Sequence, residues 1–539
     1  MLNKLASAYI SQRSRLPYLL LGSVLTALTL IFPQALGLLE WVTMIPLLLA
    51  LYRLCEDPTC SLKKAYGYGF LTVYIFYFVI YHWITHLYPL DFVGLDELAS
   101  LAVIAAGWLG LPLLQAVLGG LVFLAFRILH KVGVFEKVPL LRPFVFASLW
   151  VVFEWSSTLG WTGVPWGRLC LGQSELLPIL QSASLFGSYF VTWLLVLVNA
   201  LLAYALLYHR RALVCGAVAV SLFVTNLLYG VISLSLPTEQ SEESVRVAVI
   251  QGNINSHDKW SSDSSQMIRE IYGGYTRQAA EEGAELVIWP ETTIPFVLTE
   301  TSSMGRFVSR LAAECNVTLI VGALHEDSEG LLYNALFLVA SDGTIHEDIY
   351  AKRHLVPFGE YVPMRDVIMT LIPPLANVSA LDGDLTPGAD SALFDTAWGR
   401  IGSLICFDSI YEQLTVDSVR DGAELMILSS NDSWFFDSAA VYQHQTQAQL
   451  RAIETGRYLA RAGNTGISSV ISPKGETLEW IDPLMEGYAV ADVQMLEGDT
   501  LYTTIGNLFV FLCILLFLVP LAVSAVLRVL NLYRKKRGA

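Results

Sequence analysis

The sequence predicts a polytopic α-helical membrane domain of about eight transmembrane helices plus an extracytoplasmic α/β domain, and three observations predict it. Of 539 residues, 54% are hydrophobic and only 15% charged, against about 25% charged in ordinary soluble proteins. The apolar residues fall in long runs before Leu236 and after Tyr502, while the stretch between them reads as globular protein. Charge divides the same way: 237–502 holds 15 basic and 39 acidic residues, 1–236 holds 13 and 9, and the remainder holds 5 and none. The runs exclude a purely soluble enzyme, and a middle segment of net charge −24 argues against a nucleic-acid partner.

A membrane helix needs about 20 mostly apolar residues to cross the hydrocarbon core. Seven stretches qualify before Leu236, near 17–35, 38–55, 66–87, 98–126, 140–159, 178–208 and 212–236, and an eighth lies near 503–527. The Trp-rich stretch 155–168 also suits a re-entrant loop. Short loops rich in Lys and Arg stay in the cytoplasm. With the N-terminus inside, the inside loops carry 12 basic residues and the tail five, whereas the short outside loops carry Arg168 alone. Seven crossings then put 237–502 outside the cytoplasm, with both termini inside. The domain limits that follow are 1–236, 237–502 and 503–539.

The first apolar run is long for a signal-peptide core and no A-x-A-like site follows it, so an anchored start is favoured. Of seven cysteines only Cys315 and Cys406 fall in 237–502. A disulfide scaffold is therefore not expected, and a free thiol outside the cytoplasm calls for a reason.

Within 237–502, short β-branched or apolar runs alternate with helical stretches. Strands are predicted at 245–250, 286–291, 317–323, 333–340, 400–406, 424–429, 466–472 and 488–493, with helices at 265–282, 305–315, 409–420 and 439–461. Buried sheets covered by helices follow from this alternation, and in such folds polar chemistry collects at strand ends. Three strand ends carry reactive groups: Glu291 after Val287-Ile288-Trp289-Pro290, Lys352 after Ile349-Tyr350-Ala351, and Cys406 after Ser403-Leu404-Ile405. Each has a bland reading alone, as a helix-start carboxylate, a solvated lysine and a buried small hydrophobe. Their combination points to chemistry.

Trp289-Pro290-Glu291, the block 350–363 with Lys352 and Glu360, and Ile405-Cys406-Phe407-Asp408 resemble the Glu, Lys and Cys motifs of the nitrilase (carbon-nitrogen hydrolase) superfamily. With the membrane helices, the chain most resembles the bacterial apolipoprotein N-acyltransferases. The likeness extends to Gly163-Val164-Pro165-Trp166, Gln251-Gly252-Asn253, Tyr333-Asn334, 431–435, Gln443-His444, 451–454 and Asn464-Thr465-Gly466. It implies an αββα nitrilase-like sandwich for 237–502, with Glu291, Lys352 and Cys406 as its triad. It implies a bacterial cytoplasmic (inner) membrane enzyme, multi-pass. That enzyme would pass an acyl chain from a phospholipid, through a thioester on Cys406, to the amino group of a diacylglyceryl lipoprotein. Phe407 and Asp408 stand where that family usually has Tyr and Glu, and Phe436 where it has Gly.

Such chemistry needs these residue types. A thiol of ordinary pKa near 8.5 requires a base and a nearby cation. Glu291 would take the thiol proton and return it to the leaving group, while Lys352 and the backbone N–H of Phe407 would hold the tetrahedral oxyanion. Glu360 is the candidate to keep Lys352 charged, and Asn334 and Asp408 are further supporting candidates. The stretch 355–387 is long and apolar for a loop, and is read as a lid over the site that touches the bilayer. Its candidate substrate contacts are Met364, Ile368, Met369 and Leu371, with Trp260, Trp434 and Phe435 around them. Core packing is the competing reading of that stretch.

No C-x-x-C, H-E-x-x-H, G-x-S-x-G or Walker sequence occurs, so no metal and no cofactor is expected. His82, His86, His354 and His444 read as structural, and Glu154 is a functional candidate because a carboxylate inside a membrane stretch is costly. The expected partners are a phospholipid donor, a diacylglyceryl lipoprotein acceptor and the bilayer, with no nucleic acid, for a monomer. Two alternatives stay open: a membrane-anchored amidase in which water cleaves the thioester, and a non-catalytic lipoprotein carrier.

Overall fold

The computed structural model describes residues 15–90, 95–238, 241, 243–255, 259, 264–366, 370 and 383–537. Contacts divide the chain into two compact units: 1–82, 105–236 and 505–539 form the first, and 83–104 with 237–504 form the second.

The first unit is helical. Among the described residues, six helices are long and apolar enough to cross a membrane: Pro33–Glu56, Leu62–Leu87, Glu97–Lys131, Ser188–Leu207, His209–Ser235 and Leu508–Leu530. The other two predicted stretches are helical but short. Leu16–Ile31 and Leu141–Ser156 have 16 residues each, about 24 Å at 1.5 Å per residue against a core of about 30 Å. The predicted 178–208 helix breaks at Gly187, whose φ of 78° no continuing helix tolerates. Glu154, flagged for its membrane position, is buried and fully engaged. It accepts from Trp150 Nε1 at 3.1 Å, Leu169 N at 3.0 Å and Thr192 Oγ1 at 2.9 Å, which gives it a structural role in the bundle.

The second unit is an αββα sandwich. Among the described residues its strands are β1 (Ser244–Gln251), β2 (Leu286–Ile288), β3 (Ile294–Val297), β4 (Thr318–Glu326), β5 (Leu332–Val339) and β6 (Ile345–Ala351). They continue as β7 (Leu393–Thr396), β8 (Gly399–Ile405), β9 (Leu425–Ser430), β10 (Leu459–Gly463), β11 (Ser468–Ile471), β12 (Thr477–Ile481) and β13 (Gly487–Gln494). One sheet runs β13-β1-β2-β4-β5-β6, with β3 on β4, and the other runs β12-β11-β10-β9-β8-β7. Strand alternation builds two cores. Val247, Val249 and Ile288 face Ile401, Ile405 and Ile427 between the sheets. Ala248, Ile250 and Val287 face Ile268, Tyr272 and Leu311 of the covering helices Ser264–Glu281 and Ser303–Cys315.

The Ala439–Thr455 helix starts under a Ser438 cap and stops at Gly456, in the left-handed region at φ 65°. The predicted helix 439–461 is therefore too long, and its last part is the buried central strand β10. A strand with an Arg457-Tyr458 entry and no alternation carries little periodic signal. The predicted helix 409–420 begins instead as a tight turn, Cys406–Ile410, before the α-helix Glu412–Arg420. Strands β3, β7 and β12 are four or five residues long, β3 contains Pro295 and β7 and β12 lack an apolar run, so pattern reading passes over them.

Candidate active site

Parallel strands bring their ends to one edge of the sandwich. After β2 the chain passes through buried Trp289 and Pro290 and turns, so that Glu291 points inward and Thr292 takes a left-handed φ of 43°. This turn lies directly on Gly322 of β4. A Cβ there would sit 2.4 Å from Pro290 O and 2.7 Å from Thr292 N, so only glycine admits the turn.

Lys352 follows β6 and is buried. Its Nζ lies 2.9 Å from Glu291 Oε1 and 3.0 Å from Glu360 Oε1. Asn334 on β5 donates its Nδ2 to the same two carboxylates, at 2.8 Å and 2.9 Å. Glu360 Oε2 accepts from Val356 N at 2.8 Å, which ties the carboxylate to its own loop.

Cys406 opens the turn after β8 with φ 48°, a conformation L side chains rarely adopt. The sharp turn lifts the side chain out of the strand's alternation. Asp408 is what fixes it: the buried carboxylate accepts from Ile405 N at 3.1 Å, His354 N at 2.8 Å and Tyr350 Oη at 2.9 Å. It thus joins the Cys406 turn to the segment around Lys352. The neighbouring Phe407 packs its ring edge-on against Tyr411.

A second wall closes behind these groups. Asn431 N donates to Glu291 Oε2 at 2.9 Å. Asp432 accepts from His444 Nδ1 at 2.9 Å and from Arg461 Nη2 at 2.5 Å, while His444 Nε2 lies 3.2 Å from Cys406 O and 2.9 Å from Ser409 Oγ. His444 therefore touches the Cys406 backbone, a contact that its isolated position in the sequence did not suggest. Asn464 binds Asn431 Oδ1 at 3.0 Å, and Gly466 leaves room for Asp432, whose Oδ2 would lie 2.1 Å from a Cβ there.

The electrostatics are set by burial against charge. Burial opposes ionisation of Glu291, but the Lys352 ammonium beside it, with Lys259 and Asn334, holds the carboxyl below its ordinary range. Burial likewise opposes the Lys352 charge, and Glu291 and Glu360 override it, so the ammonium is held well above the lysine range. The Cys406 thiol is pushed far up, by burial and then by the Glu291 carboxylate, with Lys352 acting against them. These directions leave a neutral Cys406 thiol and an ionised Glu291 carboxylate at neutral pH.

Cys406, Asp432 and His444 place their ligand atoms within 4.8 Å of one another. The Arg461 guanidinium on Asp432 occupies and repels where a metal cation would sit, so the set does not fit one. None of the seven cysteines forms a disulfide.

The structure thus gathers Glu291, Lys352, Cys406, Glu360, Asn334, Phe407 and Asp408 at one end of the sandwich. Trp434 is half-buried, and Phe435 packs edge-on against Trp83 at 5.0 Å. Met364 is exposed. Trp260, Ile368, Met369 and Leu371 lie outside the described residues, as do 367–369 and 371–382 of the predicted lid. Lys259 escaped the sequence reading: it is buried, with Nζ 3.1 Å from Glu291 O and 2.6 Å from Thr292 Oγ1. A lysine in the connection leaving β1, at the sheet end that also carries Glu291, is the signal that points to it.

Residues 246–500 match the carbon-nitrogen hydrolase family, and residues 24–201 match the apolipoprotein N-acyltransferase N-terminal domain. An apolipoprotein N-acyltransferase of Geobacter metallireducens is 33% identical, covering 92% of this chain and 92% of its own. That of Gloeobacter violaceus is 33% identical over 89% of this chain and 88% of its own. Among solved structures, Saccharomyces cerevisiae Nit3, a member of the nitrilase superfamily, aligns at 20% identity and a TM-score of 0.39, covering 48% of this chain and 93% of its own.

Proposed function

The chain belongs to the apolipoprotein N-acyltransferase family, and from that premise we propose that Cys406 carries the acyl chain as a thioester, with Glu291 moving the proton and Lys352 holding the developing negative charge. The protein is a membrane acyltransferase of lipoprotein N-acylation, with phospholipid and lipoprotein substrates.

In the first half-reaction the Cys406 sulfur attacks an ester carbonyl of the phospholipid. An S–C bond forms, the S–H proton passes to Glu291, and the carbonyl oxygen becomes an oxyanion facing the Lys352 ammonium and the Phe407 N–H. The C–O bond then breaks and Glu291 returns the proton to the leaving lysophospholipid oxygen. In the second half-reaction the lipoprotein's amino nitrogen attacks the thioester, a C–N bond forms, and the C–S bond breaks. Glu291 takes the amine proton and returns it to sulfur. One oxyanion donor is worth about 2.7 to 4 kcal/mol of transition-state stabilisation. Glu360 and Asn334 serve by fixing Lys352 and Glu291 in register.

The observation that carries this reading is the buried ion pair of Lys352 with Glu291 at 2.9 Å, both groups acting on the Cys406 thiol. Incubating the purified protein with a labelled phospholipid and trapping the thioester tests it. Label is expected on Cys406 and is expected to leave only when a diacylglyceryl peptide is added. Label on Cys406→Ala overturns the nucleophile, and release to water alone favours an amidase.

The site belongs, on this reading, to an extracytoplasmic catalytic domain spanning 237–502, held in the bacterial inner membrane by 1–236 and by the helix in 503–539, with both termini cytoplasmic. The excess of basic residues in the predicted inside loops supports that orientation. The enzyme works as a monomer, without a cofactor and without nucleic acid. A reporter fused after Ala539 should be active inside the cell, and one placed in 237–243 outside it.

A further inference from the structure

Lys259 is 4% exposed and makes no ion pair within 4 Å among the described residues. A buried ammonium without its own carboxylate is costly unless a nearby negative charge offsets it. Its two hydrogen bonds go to the Glu291 carbonyl at 3.1 Å and the Thr292 hydroxyl at 2.6 Å. These are the two residues of the turn that Gly322 admits and that Thr292 enters in a left-handed conformation. We propose that Lys259 is a positioning residue for acyl transfer, a second buried cation that clamps the Glu291–Thr292 turn and keeps the Glu291 carboxylate ionised between two ammonium groups. The inference rests on the reading of Glu291 as the proton carrier.

Among the described residues, the charged and titratable groups that act on Lys259 are Glu291 after β2, Cys406 after β8 and Lys352 after β6. Glu291 and Cys406 favour its charge and Lys352 opposes it. Burial outweighs them and brings the lysine down to about 8, so at neutral pH it is still mostly charged. From the 264–281 helix, Ser264 and Tyr272 face the same small cavity as Lys259, with Thr293 and Asn464. Tyr272 is pushed far above its ordinary range by burial and stays neutral. Ser264 Oγ is buried and has no hydrogen-bond partner among the described residues, which leaves a polar lining beside the ammonium. Removing the Lys259 charge leaves Glu291 with one cation where it now has two, so its carboxyl must bind a proton at higher pH.

The test is the pH dependence of thioester formation on Cys406 from a fluorescent diacyl phospholipid in mixed micelles, in pH jumps from a common neutral stock. For Lys259→Met, the acidic limb of that profile should move up by about one pH unit, while Lys259→Arg should keep the wild-type limb. A Lys259→Met enzyme with lowered plateau rate but an unmoved limb overturns the proposal, because a mechanical clamp changes the rate and not the limb. Where Lys259→Met does not accumulate in the membrane, Lys259→Gln is compared with Lys259→Arg, and equal limbs overturn it. If only the Arg variant accumulates, Lys259 serves folding and the proposal also fails. Cys406→Ala run in parallel separates the two levels: label on that variant sinks the triad reading, whereas a dead Cys406→Ala with an unmoved Lys259→Met limb sinks only this one.

Discussion

Asn431 follows Glu291 by 140 residues, and its backbone N–H donates to Glu291 Oε2 at 2.9 Å. Through its neighbour Asp432, the same loop holds His444, whose Nε2 lies 3.2 Å from the carbonyl of Cys406. A single loop after β9 therefore grips the proposed base by its carboxylate and the proposed nucleophile by its backbone. His444→Ala should lower kcat by about 100-fold and leave KM for phospholipid nearly unchanged. Steady-state kinetics on a labelled donor checks this; a rise in KM with unchanged kcat would assign His444 to binding.

Lys352 neutralises two carboxylates at once, the buried Glu291 and the half-buried Glu360. Lys352→Met should abolish thioester formation and also destabilise the protein by about 3 to 5 kcal/mol, the usual cost of leaving a buried charge unpaired. Adding Glu360→Gln removes one stranded charge. The double variant should recover much of the lost thermal stability and none of the activity, as followed by melting in detergent alongside the thioester trap.

Gly322→Ala places a methyl group against backbone atoms of the Pro290–Thr292 turn, at 2.4 Å from the Pro290 carbonyl. Backbone cannot swing aside as a side chain does. The variant should lose about 1 to 3 kcal/mol of stability and, because the displaced group is the turn carrying Glu291, most of its activity. A folded variant with normal turnover would show that the turn tolerates displacement.

Burial pushes the Asp408 carboxyl up from 3.8 to about 6. A folded-state value above the unfolded one means that this group's contribution to stability is complete below pH 3.8 and fades as pH rises through about 6. Across that window Asp408 alone makes stability fall with rising pH, by up to roughly 3 kcal/mol. Asp408→Asn should remove this slope. Denaturant unfolding at pH 4, 5, 6 and 7, wild type against variant, measures the difference; parallel curves would mean that the carboxyl titrates normally.

Glu291 and Cys406 were legible in the sequence because each follows a buried apolar strand, whereas Lys352 ends the polar, partly exposed β6 and stood out through its motif block 350–363. The turn chemistry around them was less so. Asp408 reads as one more acid until the fold brings Tyr350 and His354 to it from more than fifty residues away. Lys259 has no periodic neighbourhood at all, and its significance comes only from its approach to the Glu291 carbonyl across 32 residues. The strand β10 was hidden by a helix signal that continues past Gly456, since nothing in Leu459-Ala460-Arg461 distinguishes a buried strand from a buried helical turn. The membrane helices were plain from hydropathy, whereas Gly187 decides where one of them breaks.

Glu291 and Lys352 come from one sheet, Cys406 and Asn431 from the other, and the two layers meet across a continuous apolar core. On the proposed mechanism, an unfolded chain keeps the base and the thiol on segments that do not meet, and the two act together only once the layers have docked.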